Sequence, residues 1–368
     1  MRISARRAII FTTALLLAVG TLTACSTGSK TQDGTSSTSN ASIGLLLPNT
    51  VTARYETADK PYFEAKVASL CPDCTVLYAN AEGDAAKQQQ QAESMLTEGA
   101  KVLVLDPVDG VAAAAIVSEA KAKNVPVISY DRLIDSPDLA FYVSFDNEKV
   151  GEMQGTALVD KLKADGVAPG DGGILMVNGS PTDNNAALFK AGAHKIIDPS
   201  GYKILAEFDT PGWDPAQAQT WVAGQIAQFG DQIKGVYAAN DSIAGGAIAA
   251  LKAAGVTPIP PTTGQDADLA AIQRILVGDQ YMTVYKALRL EAEKAASLAV
   301  DLVNGKTVKG SSTVKAPTGG ADIESFLLTP VAVFVDNIQS TVVADGFYTA
   351  AEICTPDYVT ACTAAGIK

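Results

Sequence analysis

The sequence predicts an α/β protein made of two doubly wound lobes, each a parallel sheet covered by helices on both faces. The chain has 368 residues, which suits two domains at about 150 residues each. From residue 42 onward, short and almost continuously apolar runs alternate with alanine-rich helical stretches. Such runs are typical of strands in a parallel sheet, because crossover helices bury both faces. The runs form two successive series, so two lobes are expected.

The predicted strands and helices alternate along the chain. The first series of strands is at 43–47, 75–79, 102–105, 125–130 and 141–144. The second series is at 174–177, 203–208, 236–239 and 282–285. Helices between them are expected at 55–70, 85–97, 111–123, 149–163, 186–197, 215–229, 243–254, 269–277 and 287–303. A last apolar run, 326–335, is predicted to be one strand that crosses back between the lobes.

Composition and charge argue against several classes of function. The sequence holds 40 acidic and 28 basic residues, a formal net charge of −12, whereas nucleic-acid binding needs a clustered positive face. His194 is the single histidine, so neither a histidine base nor a metal site of several histidines is expected, and no metal or cofactor is predicted. The chain is 47% apolar, enough to bury sizeable cores. These observations favour a binding protein over an enzyme.

The N-terminus predicts secretion and a lipid anchor. Three arginines precede a short apolar stretch at 8–19, and the sequence LTAC, ending at Cys25, follows. The stretch is too short to span a bilayer and is typical of a signal peptide. Small residues before a cysteine resemble the lipobox of bacterial lipoproteins, so 1–24 is predicted to be a signal peptide and Cys25 to carry lipid. Residues 25–41 would be a flexible tether, with the protein outside the cytoplasm on the outer face of the cell membrane; an uncleaved membrane anchor is the alternative.

Four further cysteines are available for disulfides, namely Cys71, Cys74, Cys354 and Cys362. They allow three pairings, and pairing of Cys71 with Cys74 and of Cys354 with Cys362 is favoured. A redox or zinc role for Cys71 and Cys74 is the alternative. It is disfavoured because this pair follows a predicted helix, whereas a thioredoxin-like pair begins one, and because no second pair of ligands has zinc spacing.

Polar and aromatic side chains follow most of the predicted strands at their carboxyl ends, and Asp266 precedes a predicted helix. Ligands bind beyond these ends in open parallel sheets, so the side chains are expected to meet in one cleft. Carboxylates accept hydrogen bonds from sugar hydroxyls, and arginine, lysine and asparagine side chains donate hydrogen bonds to the hydroxyl oxygens. A flat aromatic ring packs against the apolar face of a pyranose. A polyhydroxylated ligand is therefore predicted. The candidate ligand-binding residues are Arg54, Tyr55, Asp131, Arg132, Asp183, Asn185, Trp213, Asn240, Asp266 and Lys286.

Some of these residues have a purely structural alternative. Asp183 and Asp241 lie at predicted helix starts, where aspartate is often only an N-cap. Trp213 lies in a loop between Pro-Gly and Asp-Pro and could be buried against a lobe edge. Lys286 could be a surface charge, but a cation at a helix start opposes the helix dipole, which favours a functional position.

Six runs of sequence carry a resemblance to a known family. They are 130–134, 141–151, 179–186, 240–248, 264–270 and 282–286, among them SPTDNN at 180–185 and GQDADLA at 264–270. In this order and at this spacing, the chain from about 43 to 348 resembles the periplasmic-binding-protein-like sugar carriers of ATP-driven transporters. The resemblance implies the type I periplasmic binding protein fold, with three crossing segments near Asp146, Lys286 and Thr329. The lobes would then be 42–146 plus 287–328 and 147–286 plus 329–368.

The same resemblance implies a function. The ligand would be a monosaccharide, with D-xylose favoured, delivered to an ABC transporter permease that works with a separate ATPase subunit. The protein would be a monomer that meets the membrane only through its lipid. The family's sugar contacts fall on every candidate above except Tyr55, which stands where the family usually has tryptophan. Tyr55 leaves the identity of the sugar open, and glucose or another aldose is the alternative ligand.

Three other outputs compete with transport. The liganded protein could signal to a chemoreceptor or a sensor kinase, which the sequence does not separate from transport. A glycosidase with Asp183 and Asp266 as paired acids is less favoured, because neighbouring arginine and lysine should keep both carboxyl groups ionised. A transcriptional regulator of this architecture would need an N-terminal helix-turn-helix, and the signal peptide and tether occupy that position.

Overall fold

Two groups of strands organise the protein, and each lies among helices. The computed structural model describes residues 41–320 and 322–368. Its strands are β1 (Ser42–Leu47), β2 (Thr75–Asn80), β3 (Val102–Leu105), β4 (Val127–Tyr130), β5 (Phe141–Phe145), β6 (Gly173–Asn178), β7 (Lys203–Asp209), β8 (Ile233–Ala238), β9 (Thr283–Tyr285), β10 (Ser312–Lys315), β11 (Asp322–Leu328) and β12 (Val331–Val333). Its helices are α1 (Lys60–Leu70), α2 (Ala85–Thr97), α3 (Ala114–Ala122), α4 (Asn147–Ala164), α5 (Asn184–Ile197), α6 (Pro215–Phe229), α7 (Asp241–Ala253), α8 (Leu269–Leu276), α9 (Leu288–Val303), α10 (Ala350–Ile353) and α11 (Val359–Ala364). Short π-helical turns lie at Tyr55–Asp59 and Gln339–Val343, and 3₁₀ turns at Asp198–Ser200, Pro211–Trp213 and Gly230–Gln232.

The larger sheet has seven strands in the order β10-β11-β5-β4-β3-β1-β2. Neighbouring strands are parallel except β10 and β11, which are antiparallel. Successive residues of a strand point to opposite faces. Val102 and Val104 accordingly pack with α1 and α9, whereas Leu103 and Leu105 pack with α2 and α3. Both faces of this sheet are covered, as the continuously apolar strands predict.

The second group of strands is less regular. Strands β7, β6 and β8 form a parallel sheet in that order, and β9 and β12 form an antiparallel pair. The segment 262–264 lies between them, because Thr263 N–H donates to Val236 O of β8 at 3.0 Å and Val284 N–H of β9 donates to Gly264 O at 3.1 Å. The Thr263 hydroxyl accepts from Ala238 N–H at 3.0 Å. The Thr263 side chain thus takes the place of a backbone acceptor beside β8. The sequence pattern predicts only regular strands there.

The predicted α/β class with parallel sheets is confirmed, and two details are corrected. The run 326–335 is two strands rather than one, β11 in the larger sheet and β12 beside β9. They are separated at Pro330, which lacks the N–H that a ladder needs. Strand β10 and the short helices after β12 were not predicted.

The chain passes between the two groups of strands after β5, after β9 and after β11. Two of these passages run side by side, because Asp146 N–H donates to Leu328 O at 3.0 Å. Asp146 also caps α4 by accepting from Lys149 N–H at 3.1 Å. The lobe boundaries themselves stay a prediction.

Both favoured disulfides are present. Cys71 is bonded to Cys74 and Cys354 to Cys362, with Cα atoms 5.3 and 5.8 Å apart. The first pair closes the turn between α1 and β2. The predicted signal peptide, Cys25 and the tether up to residue 40 lie outside the described residues. Within the described ranges, no helix combines the length and the apolar character that crossing a membrane requires.

Candidate functional site

All ten candidate side chains line one cavity. The cavity lies where the carboxyl ends of strands from the two groups face each other. The lining residues are buried, with exposed fractions of 2–4% for every candidate. Three residues outside the list of candidates complete the lining, namely Thr52, Phe189 and Gln265.

Arg54 enters the cavity from the π-helical turn after β1. Its Nε and Nη2 groups donate to the Asp59 carboxylate at 2.8 and 2.7 Å, and Nη2 also donates to Glu291 Oε2 at 2.9 Å. The remaining nitrogen, Nη1, lies 3.4 Å from Asp131 Oδ2 and 3.7 Å from Asp266 Oδ1. Burial disfavours the charge of Arg54, but Asp131, Asp59 and Glu291 outweigh it and raise its pKa. Arg54 is therefore a fixed cation at the centre of the site.

Arg132 and Tyr55 form a second wall of the cavity. Arg132 Nε lies 2.9 Å from Asp183 Oδ2, and Arg132 Nη2 donates to the Tyr55 hydroxyl at 3.0 Å. The Tyr55 ring centroid lies 5.4 Å from the guanidinium carbon of Arg54 and 5.9 Å from that of Arg132. Tyr55 is thus held by two arginines through cation–π contacts as well as a hydrogen bond. Its ring is fixed before a ligand arrives.

Asp131 follows β4 and Asp266 lies in the loop before α8, and both approach Lys286. The Lys286 Nζ atom lies 3.2 Å from Asp266 Oδ1 and 3.7 Å from Asp131 Oδ1. Both aspartates have a positive φ, 54° and 93° respectively. Their N–H groups donate to Val143 O and Val284 O at 2.9 Å, so the backbone is held in this strained conformation. Strain of this kind clusters at ligand sites because it aims a side chain away from the strand path.

Charged neighbours and burial act in opposite directions on the pKa values of Asp131, Lys286 and Asp183. Burial alone would raise the pKa of Asp131, but Arg54, Lys286 and Arg132 outweigh it and lower that pKa to about 2. Burial works against the charge of Lys286, and Asp131 and Asp266 outweigh it and raise the Lys286 pKa. For Asp183 the balance is reversed, since burial outweighs Arg132 and raises the pKa. Arg132 acts in the expected direction, because it lowers the pKa of Asp183, but burial has the larger effect.

The Asp183 side chain both caps α5 and lines the cavity, where it holds Trp213. Asp183 Oδ1 caps α5 by accepting from Asn185 N–H at 2.8 Å, while Oδ2 accepts from Trp213 Nε1 at 3.1 Å. Trp213 is buried against Phe189, with ring centroids 6.3 Å apart and planes inclined by 68°. Asp183 is therefore an N-cap that also lines the cavity, and Trp213 is buried in the cavity wall. A contact of either residue with a ligand stays a prediction.

Asn185, Asn240 and Asp241 have three different structural roles around the cavity. Asn185 Nδ2 donates to Asp131 O at 2.8 Å, which joins α5 to the turn after β4. Asn240 caps α7 by accepting from Ile243 N–H at 2.9 Å. Asp241 is not the cap: its carboxylate is buried behind the cavity and accepts from Gln280, Thr283 and the N–H of Asp268.

Asp106 does not line the cavity but supports Arg132 from behind, and it is absent from the candidate residues. It directly follows β3 and is fully buried, with Oδ1 3.5 Å from Arg132 Nε. The strand-end rule used for the other candidates would have found it. Phe189 lies four residues after Asn185 and so on the same face of α5, which is a weaker signal. Among the described residues, no group of three or more histidine, cysteine or acidic side chains could hold a metal ion.

We expect Gly179→Ala to weaken ligand binding by about tenfold or more. A Cβ atom at residue 179 would overlap the Trp213 indole ring, so the ring must move and its hydrogen bond to Asp183 is lost. Overpacking of this kind costs about 1–3 kcal/mol. Gly224→Ala, on α6 with open space around its Cβ, is the matched control, and titration calorimetry measures both. Equal affinities for the two variants would contradict the assigned position of Trp213.

The architecture and the enclosed polar cavity define a class, the periplasmic binding proteins of type I fold. The periplasmic binding protein domain family matches residues 43–307, and the chain belongs to this family. It is 40% identical over 315 residues to the D-xylose-binding periplasmic protein of Escherichia coli (strain K12), covering 84% of this chain and 92% of the relative. It is 39% identical over 340 residues to the protein of the same name from Haemophilus influenzae, covering 91% and 97%. An ABC transporter solute binding protein of Clostridium phytofermentans, solved with bound beta-D-glucose, has a TM-score of 0.78 at 28% identity and covers 85% of this chain and 99% of its own.

Proposed function

We propose that the protein captures one monosaccharide, D-xylose in preference to other aldoses, and delivers it to an ABC transporter permease with a separate ATPase subunit. As a family member the chain is an extracytoplasmic solute-binding protein and not an enzyme. One observation carries the choice of a sugar: ten buried polar and aromatic side chains converge on a single cavity. The relatives named for D-xylose, at 39–40% identity, support the particular sugar.

The cavity offers the hydrogen-bonding groups that sugar hydroxyls need. Asp131 is an ionised acceptor, as its pKa of about 2 implies. Arg54 Nη1 and Asp266 Oδ1 are buried and have no hydrogen-bond partner among the described residues. A buried polar atom left unpaired costs about 1–3 kcal/mol, and a hydroxyl can donate to the carboxylate and accept from the guanidinium at once. The positions of these groups would therefore select the stereochemistry of the sugar.

Flat rings complete the recognition of a pyranose. Trp213 and Tyr55 both line the cavity, and each is fixed by hydrogen bonds, from Trp213 Nε1 to Asp183 and from Arg132 to the Tyr55 hydroxyl. The C–H face of a pyranose packs against such a ring. Tyr55 takes the place of the usual tryptophan of the family, with a smaller ring and an added hydroxyl group, so this wall contributes to the choice among aldoses.

Binding would require the lobes to open and close. We take the lobes to be 42–146 plus 287–328 and 147–286 plus 329–368. Ion pairs then join them across the cavity, Arg132 with Asp183 at 2.9 Å and Arg54 with Asp266 at 3.7 Å. Lining residues exposed by only 2–4% leave no room for a sugar to enter unless the lobes separate, which is a hinge motion.

Membrane attachment belongs to the same proposal. Residues 1–24 would be removed as a signal peptide, and Cys25 would carry the lipid that holds a monomer on the outer face of the cell membrane. A short apolar stretch followed by LTAC supports this assignment. The lipid would keep the protein near its permease while the tether leaves the lobes free to move.

A panel of monosaccharides tests the proposal. We expect D-xylose to raise the unfolding temperature of the mature, lipid-free protein most, followed by D-glucose, with smaller shifts for D-ribose and L-arabinose. A ligand at 100 times its Kd adds about 2.7 kcal/mol of stability. A larger shift with D-glucose would transfer the assignment to that sugar. The absence of any shift with all pentoses and hexoses would remove sugar binding altogether.

A further inference from the structure

The guanidinium of Arg54 is clamped by two carboxylates that do not line the cavity. Asp59 accepts from Nε and Nη2 at 2.8 and 2.7 Å, and Glu291, in the first turn of α9, accepts from Nη2 at 2.9 Å. Asp59 and Glu291 are exposed by 1% and 0%. Neither belongs to the residues that line the site.

The π-helical turn explains how Asp59 reaches Arg54. In an α-helix, residues five apart differ by about 140° around the axis and cannot face each other. A π turn closes its hydrogen bond between residues i and i+5, as the bond from Lys60 N–H to Tyr55 O shows. Arg54 and Asp59 are five residues apart and therefore lie on one side of the turn. The extra residue of the turn thus creates the bidentate pair.

The clamp, formed by Asp59 and Glu291, leaves only some of the Arg54 donors free to face the cavity. A guanidinium has five N–H donors in a rigid plane, and the two carboxylates take the three on Nε and Nη2. The two donors on Nη1 remain, and this nitrogen is buried without a hydrogen-bond partner in the described part of the chain. Asp59 also accepts from the Tyr130 hydroxyl, and Tyr130 immediately precedes Asp131. The clamp therefore fixes Nη1 relative to Asp131, its neighbour in the cavity.

We propose that Asp59 and Glu291 are positioning residues that hold Arg54 Nη1 against one particular hydroxyl of the sugar and so help to determine which sugars bind. The inference rests on the proposed function, since it assigns these residues to the same site. Without the clamp, Arg54 would turn in its plane and offer its donors in several directions. Recognition of one hydroxyl would be lost, while contacts to the others would persist.

The test compares D-xylose with its 2-deoxy, 3-deoxy and 4-deoxy analogues by titration calorimetry. We expect Arg54→Lys to lower the affinity for D-xylose. Of the affinities for the three analogues, the one for the analogue that lacks the hydroxyl bound by Nη1 should fall least. Glu291→Met removes the acceptor but keeps the volume, and Asp59→Asn removes one of the two paired acceptors. We expect both to weaken D-xylose binding about tenfold or more and to spare the same analogue as Arg54→Lys.

The controls separate positioning from a loss of folding. Glu291→Gln keeps an acceptor oxygen for Nη2 and should restore most of the affinity. Glu293→Gln, two residues along α9 with its carboxylate 37% exposed near Lys66, should change nothing. The double variant of Arg54→Lys with Glu291→Met should bind no more weakly than Arg54→Lys alone.

Other outcomes overturn the inference. Equal losses for D-xylose and all three analogues, or unchanged binding in Glu291→Met and Asp59→Asn, would show that the clamp does not aim Arg54. An Arg54→Lys variant that spares no analogue would show that Nη1 meets no single hydroxyl. If the unsubstituted protein bound none of the sugars, the proposed function would fail first, and this inference with it.

Discussion

Asp266→Asn should reduce the affinity for the sugar by about 100-fold and leave the fold intact. Asp266 Oδ1 is buried without a hydrogen-bond partner among the described residues, 3.2 Å from Lys286 Nζ and 3.7 Å from Arg54 Nη1. Removing one member of a buried charge pair costs about 2–5 kcal/mol of binding energy, and 2.7 kcal/mol is about 100-fold. Asparagine is preferred to alanine because it tolerates the positive φ of 93° at this position.

Titration calorimetry gives the affinity, and thermal unfolding without sugar reports on the fold. The backbone bond from residue 266 N–H to Val284 O does not depend on the side chain, so the sugar-free protein should unfold within a few degrees of the unsubstituted one. Asp138→Asn, a surface carboxylate paired with Lys121, is the matched control and should bind normally. Binding by Asp266→Asn within about threefold of the unsubstituted protein would exclude Asp266 from the site.

The second large effect is on stability rather than on affinity alone. Asp241→Ala should lower the free energy of unfolding by at least about 3 kcal/mol. The Asp241 carboxylate accepts from Gln280 Nε2 at 2.7 Å, from the Thr283 hydroxyl at 2.8 Å and from Asp268 N–H at 2.9 Å. Each buried donor left without an acceptor costs about 1–3 kcal/mol. Because residue 268 lies in the same loop as Asp266, sugar affinity should fall as well.

Urea unfolding of the sugar-free protein measures this effect. Asp301→Ala removes a partly exposed carboxylate paired with Lys306 and should stay within about 0.5 kcal/mol of the unsubstituted protein. Gly264→Ala is an independent check, because its Cβ would overlap the Asp241 carboxylate and should destabilise in the same way. Unfolding of Asp241→Ala at the same urea concentration as Asp301→Ala would refute the role of Asp241 as an internal support.

Much of the site is predictable because one topological rule brings distant residues together. Asp131 follows the apolar run of β4 and Lys286 that of β9, and these residues are far apart in sequence, yet they lie close together. Asp266 also reaches Lys286, although it follows no predicted strand and precedes a predicted helix. The rule needs only the ends of the strands, and these are visible as short apolar runs. The same rule finds Asp106 when it is applied to β3. The fold class followed from the same runs.

Other features depend on geometry that the sequence does not display. The π turn that pairs Arg54 with Asp59 differs from an α-helix by one residue in its hydrogen bonding, and helical periodicity cannot reveal this. Glu291 looks like an ordinary acidic residue in the first turn of a helix, where aspartate and glutamate are common. The raised pKa of Asp183 depends on its burial, which outweighs the charges that the sequence shows. Strand β12 pairs with β9 over only three residues, too few for a clear alternating pattern.

The near-complete burial of the cavity wall has a kinetic consequence. A sugar held there departs only as often as the lobes separate, so an excess of a rival sugar in the surroundings cannot hasten its exit. Residence time becomes a property of the hinge, set apart from the contacts that choose the sugar. A permease that holds the lobes apart would obtain its cargo without having to compete with the hydrogen bonds of the cavity.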